Sequence, residues 1–63
     1  MYYIVVIDAG VPQVVSNTKG TPRTFPKHKK ANNFINSRQY LRERRWQIVD
    51  NISTIPGRFK VDL

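Results

Sequence analysis

The chain contains no cysteine in its 63 residues. That excludes disulfides and thiolate zinc sites as sources of stability, and it fits a reducing compartment. Carboxylates are scarce as well: Asp8, Glu43, Asp50 and Asp62 stand against eleven Lys and Arg, for a formal charge of +7. From these four no paired acid–base site and no carboxylate metal site can be assembled. The single histidine, His28, has no second histidine or cysteine with which to share a metal. No Ser-His-Asp set and no glycine-rich phosphate loop can be assembled, so neither catalysis nor a cofactor is expected. No apolar run approaches the roughly 20 residues that cross a bilayer. Tyr2–Ile7 lacks the basic flank and the length of a signal-peptide core. A cytoplasmic protein with no membrane partner is the expectation.

What remains suffices for one small domain spanning 1–63. A chain of this size buries only about 60% of its unfolded surface, so packing must supply nearly all the stability. Tyr2-Tyr3-Ile4-Val5-Val6-Ile7 is apolar on both alternating faces and rich in β-formers, the pattern of a central strand. Asp8-Ala9-Gly10 supplies a turn, with Gly10 free to take positive φ. Val11–Asn17 returns as a second strand. Pro12 cannot donate a ladder hydrogen bond, which points to an edge position or an irregular start. Such an edge could pair with itself in a homodimer.

Thr18-Lys19-Gly20-Thr21-Pro22 is polar, carries both breakers and reads as a loop. Arg23-Thr24-Phe25 forms an extended approach to a helix, with Thr24 the candidate N-cap and Pro26 in the first turn. Ala31, Phe34, Ile35 and Leu41 recur at offsets of three, four and six, on or near one side of that helix. The helix either runs on to about Glu43 or breaks at Asn36-Ser37 and restarts. Trp46–Val49 reads as a third strand, with Trp46 expected in the core. Pro56-Gly57 has the composition of a tight turn. In Arg58–Leu63, Phe59, Val61 and Leu63 alternate inward, with Arg58, Lys60 and Asp62 outward. The fold class is therefore α+β: a single helix packed on a small, mostly antiparallel sheet, in the order β-β-α-β-β.

Function must be sought in the charge. Lys27-His28-Lys29-Lys30 opens the helix, where the macrodipole favours acids and disfavours cations. No acidic residue occurs between Asp8 and Glu43. Free N–H groups at a helix start already attract anions, and surrounding lysines deepen that attraction. Lys19 and Arg23 lie nearby in sequence, and Arg42, Arg44 and Arg45 form a second cluster, accompanied by Arg38. Lys19, Arg23, Lys27, Lys29, Lys30, Arg42, Arg44 and Arg45 are thus the candidate phosphate contacts of a nucleic-acid-binding surface, with DNA favoured over RNA. The bland alternative is a solvated basic face that serves only solubility.

Two resemblances bear on this. Phe25, Ala31 and Phe34 keep a Phe-x5-Ala-x2-aromatic spacing after a β-hairpin, which resembles the arm-site-binding domain of tyrosine recombinases and implies DNA binding. In this chain Lys27 replaces the usual Ser or Thr cap and Lys30 the usual Glu. The whole order, with Trp46-Gln47-Ile48-Val49 returning after the helix, is also similar to very small phage-encoded proteins. Some of those are inhibitors that dock on a host enzyme such as RNA polymerase, which implies an acidic protein surface as partner. Ile4–Gly10 superficially resembles the first strand of RNase-H-like nucleases and sugar kinases, but it lacks their partner carboxylates, and Asp8 is read as a turn residue.

Overall fold

A computed structural model describes residues 1–61 and shows the expected α+β fold with one main helix. The elements are β1 (Tyr3–Asp8), β2 (Val11–Ser16), α1 (His28–Asn36), the single-turn α2 (Gln39–Arg42), β3 (Arg45–Val49) and β4 (Gly57–Lys60). They form a four-stranded sheet in the order β3-β1-β2-β4. β1 is antiparallel to both of its neighbours, and β4 runs parallel to β2. Asp62 and Leu63, expected at the end of the last strand, lie outside the described residues.

β1 is central, and its Ile4-Val5-Val6 run is buried throughout. Ile4 and Val6 face α1 and share a core with Val15, Ala31, Ile35, Leu41 and Val61. Phe25, Phe34, Ile48 and Phe59 close the margin of that core. Val5 points to the other face, where its partner Val14 is fully buried. β3 and β4 run in the same direction at opposite edges, so the segment 50–56 must cross the sheet between them. Ile55 of that segment lies with Val5, Ile7, Pro12 and Val49 around a groove of about 270 Å³, which places the crossing on the reverse face. The β2-to-β3 passage crosses leftward over one face, and the β3-to-β4 passage crosses rightward over the other. Both therefore have the same hand, as the chirality rule for parallel connections requires.

Several sequence expectations need correction. β2 is an interior strand, because β4 pairs with it from Gln13 to Ser16. Pro12 is tolerated because that pairing begins one residue later. The proposed self-pairing edge is consequently occupied, and the open edges of the sheet belong to β3 and β4. The N-cap position is Lys27, in extended conformation and without a side-chain cap bond, rather than Thr24. Pro26 holds the residue before it extended, and Phe25 uses that conformation to exchange two backbone bonds with Tyr2, at 2.8 and 2.9 Å. The turn before β4 falls at Ser53-Thr54, closed by Ile55 N–H to the Ile52 carbonyl, and not at Pro56-Gly57.

The helix breaks and restarts. Ser37 Oγ donates to the Phe34 carbonyl at 2.7 Å, and Arg38 is extended. At about 100° per residue, Leu41 on a continuous helix would sit roughly 120° around from Ile35. The break turns Leu41 back into the core, where it is fully buried. β3 stands at the edge of the sheet, beside α2. Trp46, opposite Val6 on this edge strand, is 39% exposed and is not the core residue that its chemistry suggests.

The β1–β2 turn has two residues, and both have positive φ: Ala9 at 53° and Gly10 at 81°. That is the type I′ requirement, which Asn meets far better than Ala at the first position. Ala9→Asn should stabilise the fold by about 0.5–1 kcal/mol, read as a higher midpoint in urea with an unchanged slope.

Candidate nucleic-acid interface

The lysines gather where β1 begins and β2 ends. Asn17 shapes the loop there: its Oδ1 accepts the N–H groups of Lys19 and Thr21 at 2.9 and 3.0 Å. Gly20, at φ 90°, completes the turn. Lys19 is exposed on this loop. The Tyr2–Phe25 bridge brings the start of α1 to the same end, and the His28 ring meets Tyr2 edge-on at 5.9 Å. Lys27, Lys29 and Lys30 are all exposed around that first turn, which contains no acid. Lys60 joins them, because β4 places it beside Ser16. Asp50, which follows the Tyr3 partner Val49, is the carboxylate at this end among the described residues.

The arginines are used differently. Arg23 and Arg38 both approach the Phe34 ring, with guanidinium carbons 5.2 and 4.8 Å from its centroid. Arg23 also makes a long 3.5 Å contact to the Val61 carbonyl, while its Nε is buried without a partner. Arg42 donates to the carbonyl of Asn36 and Arg44 to that of Tyr40. Each thereby satisfies a carbonyl at the end of a helix, where a cation suits the dipole. Arg44 also lies 5.0 Å from the Phe59 centroid and 3.5 Å from Asp8, in the ion pair found among the described residues. Asp8, the last residue of β1, is tied to this arginine.

Of the eight candidate residues, then, the structure brings Lys19, Lys27, Lys29 and Lys30 to one end. It assigns Arg23, Arg42 and Arg44 to internal contacts. Arg45 is exposed at the opposite end, across from Ile7. Lys60 was legible as an outward residue of the last strand, but its place beside the lysine group follows from the parallel β2–β4 pairing, which no local signal announces. No helix of the described residues is long and apolar enough to cross a membrane. No group of three His, Cys, Asp or Glu side chains that could hold a metal occurs among them.

No family model, no curated protein and no solved structure matches this chain. The two family resemblances accordingly rest on residue spacing and element order alone.

Arg23 separates the two uses of positive charge. Arg23→Ala should cost about 1–2 kcal/mol through lost packing on Phe34, whereas Lys29→Ala should change stability by less than about 0.5 kcal/mol. Urea unfolding of the two variants side by side measures the difference.

Proposed function

We propose that this is a small basic nucleic-acid-binding protein that contacts the phosphate backbone, DNA before RNA, through the lysine end of the molecule. The observation that carries the reading is the gathering of Lys19, Lys27, Lys29, Lys30 and Lys60 at one end. None of their ammonium groups has an ion-pair partner among the described residues. Arg23, Arg38, Arg42 and Arg44 are engaged with rings and carbonyls, and the exposed Arg45 and Arg58 lie outside this group. The lysines remain available as point charges on flexible stems, suited to a backbone of phosphates rather than to base edges. α1 opens toward them with an uncapped turn whose dipole adds to the positive potential. A cysteine-free chain of this kind suits the cytoplasm, that of a host cell if the protein is viral.

A second reading has its own observation. The outer edge of β3 is unpaired, and the groove beside it carries the exposed Ile7. A phage-type modulator could add that edge to the sheet of a host protein such as RNA polymerase. Pull-down from a nuclease-treated bacterial lysate distinguishes the two: one stoichiometric protein retained favours the modulator, and loss of all partners favours nucleic acid.

Fluorescence anisotropy with labelled DNA tests the first reading. Affinity should fall steeply with salt, and replacing Lys27, Lys29 and Lys30 together by Gln should reduce the salt slope by about 2–3. Absence of binding at low ionic strength would overturn it.

A further inference from the structure

The end of the molecule opposite the lysines presents a different surface. Two of the described chain's exposed large apolar residues, Tyr40 and Trp46, flank the α2–β3 joint, while the exposed Ile7, paired with Arg45, lies on the other face of the sheet. Tyr40 is 38% exposed on a helix of one turn, and Trp46 is exposed on an edge strand beside it in sequence. Tryptophan is among the costliest side chains to leave in water. Arg45, which precedes Trp46 and points to the other face of the strand, is exposed with no carboxylate in ion-pair range among the described residues. The acids of this region are already engaged: Asp8 with Arg44, and Glu43 with the Gln39 amide at 3.1 Å.

From this we infer that Trp46, with Tyr40 as a second platform, is a base-stacking site that makes the protein a binder of single-stranded nucleic acid. The inference rests on the nucleic-acid reading above and adds the strand state to it. Lysines at one end hold phosphates without regard to strandedness. An exposed indole rewards only bases that have left a duplex, because a paired base offers its face to its neighbours in the stack. The two ends lie on a body of 25 × 24 × 21 Å. A flexible single strand can pass from lysines to tryptophan around such a body, and a stiff duplex cannot follow its curvature. A second copy of the chain is disfavoured as occupant, since each carries +7 and the joint is flanked by arginine.

Trp46 is the one tryptophan of the sequence, so its fluorescence reports this site directly. The wild-type protein is titrated with an oligothymidylate of about 12 nucleotides, within the ~4–16 range of single-strand sites, and with a duplex of equal length. The expected result is quenching and tighter binding for the single strand. Trp46→Leu should weaken oligothymidylate binding by about tenfold while leaving duplex affinity within about twofold, with Trp46→Phe intermediate. Circular dichroism confirms that both variants are folded. The Lys27, Lys29 and Lys30 replacement should weaken single strand and duplex alike. Oligothymidylate binding without quenching, or equal losses for single strand and duplex on Trp46→Leu, overturns the stacking site and leaves the phosphate-binding reading standing. No binding of either nucleic acid overturns both. Quenching by polyglutamate but not by oligothymidylate overturns the inference in favour of an acidic protein partner.

Discussion

The fold depends on the two-sided burial of β1. Ile4 and Val6 are covered by α1 and α2, and Val5 by the segment that crosses the reverse face. Covering both faces of the sheet adds apolar burial that so small a chain has in short supply, and here the second face is covered by a plain connection without a second helix. It also dictates topology: β3 and β4 must stand at opposite edges for their link to pass over Val5 and Val14.

That economy leaves the rim of the core open, and arginine closes it. Phe34 and Phe59 are only half-buried, and guanidinium groups of Arg23, Arg38 and Arg44 lie over their rings. A planar, weakly hydrated cation can shield an aromatic face while its edge stays in water, which an ammonium does poorly. Arg42 and Arg44 also satisfy helix-end carbonyls that a chain this short has no spare residues to cap. Sequence composition counts all eleven cations alike. The structure divides them into architectural arginines and solvent-facing lysines, with Arg45 and Arg58 on the lysines' side of that division.

This division explains what could be read from the sequence and what could not. β1 announced itself through Tyr2–Ile7, because period-two burial on both faces leaves an unbroken apolar run. Ala31 and Ile35 declared the helix by their spacing, and Lys60 its outward face by alternation. Pro12 misled, since a proline marks a missing hydrogen bond and says nothing of where the neighbouring strand begins. Trp46 misled because side-chain chemistry predicts burial, while its exposure goes with a place on an edge strand that tertiary pairing sets. The roles of Arg23, Arg42 and Arg44 were hidden for a similar reason: an arginine's partner is set by tertiary proximity, and Arg23 meets Val61 across most of the chain.

The lysine end is also where the charge imbalance is least harmful. Like charges about 4 Å apart in water repel by only ~1 kcal/mol, against roughly four times that near a protein surface of lower effective dielectric. Flexible stems at exposed positions on a loop, a first helical turn and an edge strand let Lys19, Lys27, Lys29, Lys30 and Lys60 carry their charges away from the surface, toward the first regime. Burying any of them would move it toward the second. A fold that needs arginine at its rim can thus carry additional cations most easily at its extremities, and there they draw a counterion atmosphere that a phosphate backbone can displace. The architecture that makes the core sufficient is therefore the same one that sets the free charge apart from it.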